Sequence, residues 1–241
     1  MSKGDPGEKQ SKKRVAFVNR HRSKTFQQWQ SYCQGCGDLK EFTWYPRELQ
    51  PQFKRLRASW TYMTKAEKKK PDFQRPKKWF PKKEWQKVKK QKVFGLTTSN
   101  GKMLHFCVPS PWTADVWAKL VKKRVGPFLK RSFPRLSSYM IILDSEPILH
   151  APVVRAAYRE WNITVEPHWP KYSPDLNPQE NVWARAEPAV RLMETGREPF
   201  DQWTKKVVKA CNAYPSPQKL IGSMARRCKQ VLERHGAMAD S

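Results

Sequence analysis

Short apolar stretches alternate with helical periodicities along most of the chain, and this order restricts the fold more than any other feature. Val93–Thr98 and Lys102–Val108 flank Ser99-Asn100-Gly101, which predicts a β-hairpin with an Asn-Gly turn. Apolar residues at helical spacing predict a helix over Thr113–Phe133. Further strands are predicted at Asp38–Tyr45, Tyr139–Leu143 and Ile163–Glu166, and further helices at Pro152–Trp161, Pro178–Met193 (broken or ended near Pro188), Asp201–Tyr214 and Pro217–His235. This order of strands and helices predicts an α/β fold with a mixed central sheet flanked by helices.

The region before residue 38 gives weaker signals. Residues 1–14 are polar and basic, which predicts a flexible tail, and Arg14–Trp29 is compatible with a short helix. Gly35 and Gly37 weaken any strand that leads into Asp38. We therefore expect this strand to be short or Asp38 to be displaced.

Positive charge is concentrated in one segment. The chain of 241 residues carries a formal net charge of +27, and a compact domain with such an excess repels itself unless a polyanion neutralises it. Lys54–Lys92 contains 16 Lys or Arg against three acids, mixed with aromatic residues that can stack on unpaired bases. We interpret this segment as a basic inserted arm, with a solvated loop as the alternative. The lysines from which we expect DNA contacts are Lys68, Lys69, Lys70, Lys77, Lys78, Lys82, Lys83, Lys89 and Lys90.

Composition also narrows the class of partner and the compartment. Nucleic acid is the expected polyanion, and an anionic membrane surface is the alternative. Only the surface of a membrane is considered, because no apolar run approaches the roughly 20 residues of a membrane-spanning helix. The N-terminus lacks an apolar signal core, and five unevenly spaced cysteines fit a reducing compartment. Cys33 and Cys36 form a CxxC, but a second pair at suitable spacing and a His pair are both missing, which argues against a zinc site. A nuclear location is expected in a eukaryote and a cytoplasmic one otherwise.

Three acidic residues are candidates for chemistry. Asp144 directly follows a predicted apolar strand, at the carboxyl end where α/β sheets gather their sites, although an ordinary turn aspartate is the simpler interpretation. Glu180 follows Asn177 and Pro178, which predict a helix start, and its carboxylate could merely complete a capping box. Asp38 by itself is a weaker candidate, because exposed aspartates at strand edges are common.

A cluster of three carboxylates would need a cation. At about 4 Å and an effective dielectric constant near 20, each pair of charges repels by roughly 4 kcal/mol. Hard oxygen ligands select Mg²⁺ or Mn²⁺. Two such ions, about 3.5–4 Å apart, can clamp the attacking and leaving oxygens of an in-line phosphoryl displacement. In a strongly basic chain, such a cluster points to chemistry on nucleic acid.

The segment Tyr172–Trp183 (Y-S-P-D-L-N-P-Q-E-N-V-W) closely resembles the third-acid motif of the mariner-superfamily DDE transposases, also described as DDE superfamily endonucleases. In that motif the glutamate is a metal ligand, which corresponds to Glu180. The resemblance covers roughly residues 29–190.

The other two acidic motifs of the family have counterparts as well. Ile141-Ile142-Leu143-Asp144, followed by Pro147 and His150, is similar to the second-acid motif, and 35 residues separate Asp144 from the third acid. The run after Asp144 is one residue longer than in the family, so His150 need not point into the site. Asp38-Leu39-Lys40-Glu41-Phe42 resembles the first-acid segment, with Leu39 in place of the usual acid.

The resemblance implies an RNase H-like fold that cleaves DNA strands and transfers them, as in DNA transposition and integration. It implies that Asp38, Asp144 and Glu180 hold two Mg²⁺ or Mn²⁺ ions, with support from Asp175, Asn177, Asn181 and His150. The implied partners are DNA and a second copy of the chain on transposon ends, with no membrane and no small-molecule substrate.

The expected division of the chain is a basic tail and short helix at 1–28, a catalytic domain at 29–195 with the basic insertion 54–92, and basic C-terminal helices at 196–241. Two alternatives remain open at this stage. One is a catalytically decayed or truncated transposase that still binds DNA. The other is a basic RNA-binding protein in which the motif match arose by chance.

Overall fold

A five-stranded mixed sheet organises the chain in the computed structural model, which describes residues 6–49 and 86–238. Its strands, in chain order, are β1 Gly35–Trp44, β2 Lys89–Thr98, β3 Met103–Cys107, β4 Tyr139–Ile142 and β5 Ile163–Val165. In space they lie in the order β3-β2-β1-β4-β5. The first three pair antiparallel, whereas β4 and β5 run parallel to β1. The predicted mixed sheet and its Asn-Gly hairpin are therefore confirmed.

Helices cover both faces of this sheet. They are α1 Glu8–His21, α2 Phe26–Tyr32, α3 Ala114–Leu120, α4 Gly126–Ser132, α5 Pro152–Glu160, α6 Gln179–Met193, α7 Phe200–Asn212, α8 Gln218–Gly222 and α9 Met224–Glu233. Helices α3–α5 pack on one face around Phe94 and Ile141. On the other face, α6 and α7 pack around Phe42 and Val93, and α1, α2 and α9 form a neighbouring cluster with Ile142. In the described part of the chain, no helix is both long and apolar enough to cross a membrane.

The prediction for the N-terminal region was wrong in two respects. Helix α1 begins at Glu8, so the tail predicted over residues 1–14 is already helical from that point. The buried side chains of Phe17 and Val18 join it to the core, although basic residues surround them in the sequence. The single helix predicted at 14–29 is instead divided between α1 and α2, because Thr25 starts α2 in a capping box with Gln28.

Strand β1 runs for ten residues through both of its glycines, with three residues before Asp38, so the part that leads into Asp38 is short and Asp38 itself stays in the strand. A Cβ at Gly35 would lie 2.9 Å from the side chain of Leu96, and one at Gly37 would lie 2.7 Å from Leu143. Glycine at these positions lets neighbouring leucines close over the strand. The packing gained there offsets the lower strand propensity of glycine.

Two C-terminal helix boundaries also differ from the prediction. Helix α6 continues past Pro188, whose exposed side chain places the missing backbone hydrogen bond on the solvent side. The single helix predicted at 217–235 is divided into α8 and α9 at Ser223, where the backbone N–H donates to the carbonyls of Lys219 and Leu220.

Gly95 allows α6 to lie directly against the sheet. In the paired strands it stands opposite Asp38 on β1 and opposite His105 on β3. A Cβ at this position would lie 2.4 Å from Gln179 Nε2, 2.6 Å from the Trp183 ring and 2.7 Å from the His105 ring. The first turn of α6 therefore rests on the cross-strand row formed by residues 38, 95 and 105.

A buried chain of hydrogen bonds fixes α6 over that row. Thr97 Oγ1 donates to Gln179 Oε1 at 2.7 Å, and Gln179 Nε2 donates to His105 Nε2 at 3.0 Å. His105 Nδ1 lies 2.9 Å from Asn212 Oδ1 and donates to it. A neutral imidazole that carries its proton on Nδ1 satisfies both contacts. These hydrogen bonds join β2, β3, α6 and α7, so the position of α6 depends on all four elements.

Gly95→Ala should destabilise the fold, because its methyl group would overlap the side chains of Gln179 and Trp183. Overpacking of a closely packed interior costs about 1–3 kcal/mol, and the three short contacts place this site at the upper end. Urea unfolding measures the loss. Gly7→Ala is the control, because no atom lies within 4 Å of the position that its added methyl group would take. Equal stability of the two variants would contradict the close approach of α6.

His105 should make the fold sensitive to mild acid. Burial lowers the pKa of His105 from 6.5 to about 4, and the hydrogen bond to Asn212 opposes this only in part. The unfolded chain binds a proton at this residue below about pH 6.5, whereas the folded chain does so only near pH 4. The contribution of His105 to the free energy of unfolding is therefore fully present above pH 6.5. It is lost as the pH falls towards 4, and the loss amounts to about 3 kcal/mol in all.

Urea unfolding at pH 7.5 and pH 4.5 tests this expectation. The loss of stability between the two conditions should be smaller in His105→Gln than in the unchanged protein, by about 2–3 kcal/mol. His168→Gln is the control, since His168 is exposed and should leave the loss unchanged. Identical losses in all three proteins would show that His105 is not held neutral by burial.

Candidate active site

The three acids predicted from the sequence line one cleft beside the central strand β1 and the C-terminal end of β4. The cleft is lined by Asp38, Asp144, Trp169, Tyr172, Ser173, Pro174, Asn177 and Glu180. The structure therefore brings the three acids together, although they are far apart in the sequence.

Parallel pairing of β1 and β4 places two of these acids side by side. Gly35 stands opposite Ile141 and Cys36 opposite Ile142. Two residues further along, the same register brings Asp38 opposite Asp144, on the face of the sheet that α6 covers. Adjacent strands lie about 4.8 Å apart, so the two residues are near neighbours. Asp144 follows the end of β4 after one residue, Leu143, close to the predicted position.

The third acid enters from the start of α6. Asn177 Oδ1 accepts a hydrogen bond from Gln179 N–H at 3.0 Å, and Pro178 already has helical backbone angles. The helix start predicted at these residues is therefore confirmed. The N–H of Asn177 donates to the carbonyl of Pro174, which closes the turn before the helix. This turn delivers Glu180 to the cleft from the first helical turn.

Trp183 connects α6 to the first acid, a role that the sequence did not predict. Its Nε1–H donates to Asp38 Oδ2 at 3.1 Å, and the backbone N–H of Leu39 donates to Asp38 Oδ1 at 2.8 Å. The motif contains Trp183, but only the fold shows which carboxylate it reaches. Asp38 is thus held in one orientation by strand and helix together.

The electrostatics of the cleft disfavour three free negative charges. Burial raises the pKa of Asp38 to about 7, and the charges of Glu180 and, to a smaller extent, Asp144 contribute to this rise. The hydrogen bonds from Leu39 and Trp183 lower it and offset part of this effect. At neutral pH the charged form of Asp38 is therefore disfavoured, and a neighbouring cation would remove that cost.

The carboxylates surround the cleft without closing on one point. Within residues 6–49 and 86–238, no three His, Cys, Asp or Glu side chains are gathered closely enough to hold an ion in their present rotamers. Mutual repulsion favours this separation, because each pair of charges at about 4 Å costs roughly 4 kcal/mol at an effective dielectric near 20. Asp144 is exposed and its backbone position is fixed, so its carboxylate has room to turn towards the other two.

The predicted supporting residues take different places around the cleft. Asn177 lines it. His150 Nε2 donates to the carbonyl of Asp144 at 2.9 Å, which steadies the chain after β4. Asp175 accepts two hydrogen bonds from the buried Arg14, and Asn181 Oδ1 accepts one from the buried Arg227. These contacts fix the backbone that carries the acids.

The lysines expected to bind DNA fall into two groups. Lys89 and Lys90 belong to strand β2, so the end of the predicted inserted arm is regular sheet. Lys90 Nζ lies 2.7 Å from Glu41, and Lys89 Nζ lies over the ring of Phe200 at 5.4 Å. The other seven lie outside the described residues, as does the arm from residue 54 to 85: Lys68, Lys69, Lys70, Lys77, Lys78, Lys82 and Lys83.

Two aromatic residues of the cleft were not predicted as site residues. Trp169 is almost buried and packs in the cluster that joins α1, α2 and α9. Tyr172 is 76% exposed and has a positive φ of 54°, a conformation that is costly for a residue with a side chain. Both lie in the loop before Glu180, but aromatic residues in a loop have no periodic pattern to mark them.

Cys33 and Cys36 are fully buried, with their sulfur atoms 3.8 Å apart. They pack in the same core cluster as Trp169. The described residues around them contain no cluster of metal-ligating side chains.

A family model described as DDE superfamily endonuclease matches residues 63–195, which is more than half of the chain. Asp144 and Glu180 lie within the match, whereas Asp38 precedes it.

Among curated proteins, the transposable element Tcb1 transposase of Caenorhabditis briggsae is 28% identical over 123 residues, covering 50% of this chain and 43% of that protein. The transposable element Tc1 transposase of Caenorhabditis elegans is 39% identical over 70 residues, covering 28% of this chain and 25% of that protein. The chain thus spans less than half the length of these relatives.

Solved structures show the same fold over nearly the whole chain. The Mos1 transposase paired-end complex with left transposon end superposes with a TM-score of 0.68 at 16% identity, covering 100% of this chain and 66% of that chain. The catalytic domain of Mos1 mariner transposase superposes with a TM-score of 0.59 at 15% identity, covering 97% of this chain and 95% of that chain. The mixed sheet with helices on both faces is therefore the RNase H-like fold.

The family match contains two of the three acids that meet in the cleft, and the third lies beside them on the central strand of the same fold. The chain belongs to the DDE superfamily endonucleases, and its fold is that of a mariner transposase catalytic domain.

Proposed function

We propose that this chain cleaves DNA strands and transfers them in a reaction that depends on divalent metal ions. The observation that carries the proposal is the meeting of Asp38, Asp144 and Glu180 in one cleft of an RNase H-like fold. The members of its family are endonucleases by description, and the relatives it matches are transposases. We extend that activity to this chain.

The cleft fits a divalent cation. Its donors are carboxylate oxygens, which suit Mg²⁺ and Mn²⁺ better than softer metals. Burial and, after it, the charge of Glu180 raise the pKa of Asp38, and a bound cation would offset both effects. Structures of the Mos1 paired-end complex have been determined with Mg and with Mn, which supports the same choice here. We propose that Asp38, Asp144 and Glu180 hold two such ions.

Each acid has a distinct part in this proposal. Bound ions would activate a water molecule or a 3′-hydroxyl and neutralise the leaving oxygen of the phosphodiester. Asp38 is held rigidly by Trp183 and the backbone of β1, so it sets the fixed side of the site. Asp144 is exposed and supplies the adjustable side. Glu180 approaches across the cleft from α6 and completes the oxygen set.

DNA is the proposed substrate and principal partner. The net charge of +27 favours binding to a polyanion, and each phosphate neutralised should add about −0.9 to the salt slope of duplex binding. The Mos1 relatives include a paired-end complex with a transposon end and a pre-cleavage transpososome. By analogy we propose that two copies of this chain assemble on transposon ends.

Asp144→Asn and Glu180→Gln should each abolish metal-dependent nicking. Both variants keep the shape of the side chain and remove the charge that holds the ions, so we expect a loss of at least about 100-fold. Nicking of supercoiled plasmid in Mg²⁺ or Mn²⁺ measures the effect. Glu187→Gln is the matched control, because Glu187 lies on the same helix and forms an ion pair with Lys40 outside the cleft.

Nicking that survives in Asp144→Asn and Glu180→Gln would contradict this mechanism. Salt-sensitive DNA binding by the unchanged protein, without nicking in either metal, would instead identify a DNA-binding protein that has lost catalysis. Glu187→Gln should behave as the unchanged protein in both assays.

Asp38→Asn should stabilise the metal-free protein while it abolishes stabilisation by metal. The substitution removes the charge that burial and Glu180 disfavour. The amide oxygen of the new side chain can still accept from Trp183, while the Leu39 N–H loses its acceptor, which offsets part of the gain. We expect a gain of about 1–3 kcal/mol at pH 8, which thermal unfolding with EDTA measures. Addition of Mn²⁺ should raise the melting temperature of the unchanged protein and not that of the variant.

The control for this measurement is Asp201→Asn, which removes an exposed carboxylate that lies 3.8 Å from Lys205. It should shift neither the metal-free melting temperature nor the response to Mn²⁺. A loss of stability in Asp38→Asn without metal would show that the three carboxylates do not repel one another as proposed.

A further inference from the structure

Two buried arginines hold the turn from which Glu180 enters the cleft. Arg14 of α1 and Arg227 of α9 are 0% and 1% exposed. Neither lies in residues 63–195, where the family model matches. Both reach the segment from Asp175 to Asn181, which contains the third acid.

Arg14 holds the beginning of that segment through paired contacts. Its Nη1 donates to Asp175 Oδ1 at 2.8 Å and its Nη2 to Asp175 Oδ2 at 2.5 Å. The same guanidinium donates through Nε to the carbonyl of Gly236 at 2.8 Å and through Nη2 to that of Ala237 at 3.2 Å. The chain after α9 is thereby fastened to α1 and to the turn at once.

Arg227 spans the whole segment with one guanidinium. Its Nη1 donates to the backbone carbonyl of Asp175, and its Nη2 donates to Asn181 Oδ1. Its Nε donates to Ser223 Oγ at 3.0 Å, which fixes the arginine on its own helix. The two acceptors lie on either side of Glu180 in the sequence. Because the Arg227 guanidinium is planar and binds both acceptors, it fixes the distance between the turn and the helix that follows it.

Arg227 is a buried cation that holds the turn through polar acceptors. Arg14 donates to both carboxylate oxygens of Asp175, whereas the hydrogen bonds of Arg227 reach the Asp175 backbone carbonyl, Asn181 Oδ1 and Ser223 Oγ. Burial lowers the pKa of Arg227, so the guanidinium is held at a cost. Removal of the guanidinium would leave these acceptors buried without their donor, which costs stability. What these contacts fix is the position of the segment that carries Glu180.

We propose that Arg14 and Arg227 are positioning residues for Glu180, and that the N-terminal and C-terminal helices thus form part of the catalytic site. The proposal rests on the metal-binding function proposed above. It implies that loss of the Arg227 contacts lets residues 175–181 move, so that Glu180 no longer meets the other two acids at a fixed distance. The backbone is then mobile around the cleft while the core remains folded.

The test compares Arg227→Met with Arg226→Met in the full chain. Arg226 is the neighbouring residue on α9 and is exposed, so its replacement removes the same charge without touching the turn. Mn²⁺ alone is titrated into each protein by calorimetry, and amide hydrogen exchange is followed over residues 175–183. In Arg227→Met we expect Mn²⁺ to bind at least about tenfold more weakly and the amides to exchange at least about tenfold faster. Its melting temperature should fall by several degrees relative to the control, because the buried acceptors of Arg227 lose their donor, so exchange over residues 175–183 is compared with exchange over the strands of the same protein.

Equal Mn²⁺ affinity and equal exchange in the two variants would overturn the proposal. So would weaker binding accompanied by exchange that is faster by the same factor throughout the chain, because that pattern shows a general loss of stability. If the unchanged protein binds no Mn²⁺, the proposed metal site fails, and local exchange still decides whether Arg227 holds the turn. If Arg227→Met does not fold, Asn181→Ala removes one acceptor at a half-buried position and should give the same local change.

Discussion

The close approach of α6 to the sheet at Gly95 is the contact on which the cleft depends. Because no side chain intervenes there, Gln179 and Trp183 reach the strands, and Glu180 comes to the same side as Asp38. The buried hydrogen bonds from Thr97 through Gln179 to His105 give that approach one register. A side chain at position 95, or loss of the hydrogen bonds from Thr97 through Gln179 to His105, would therefore move Glu180 without altering any carboxylate.

Such rigid support is needed because the site holds like charges together. Burial and the two neighbouring acids raise the pKa of Asp38, which means that the metal-free cleft opposes its own assembly. A soft scaffold would relax by letting the acids drift apart. The strand pairing of β1 with β4, the Trp183 contact and the turn before α6 resist that relaxation in three independent ways. The free-energy cost of holding these acids together is offset by packing in the rest of the fold.

The sequence was sufficient for features that depend on neighbouring residues. The helix start at Asn177 and Pro178, the Asn-Gly hairpin and the strand that ends before Asp144 all follow from local preferences, and the structure confirms them. Features that depend on distant residues could not be predicted. Gly35 and Gly37 count against a strand until the leucines that pack over them are known. The apolar stripe of α1 is short and lies among basic residues, so its burial becomes evident only when α9 is beside it.

The same distinction applies within the motif that first identified the site. Glu180 and Asn177 can be assigned roles from local chemistry, but Asp175 and Asn181 cannot, since their partners lie 161 and 46 residues away in the sequence. Their presence in the motif is explained by two guanidiniums that local patterns do not reveal. A short acidic motif of this kind thus specifies its proposed metal ligand, Glu180, directly and the geometry around it only in part. The rest of that geometry is carried by helices at both ends of the chain, which makes them components of the site.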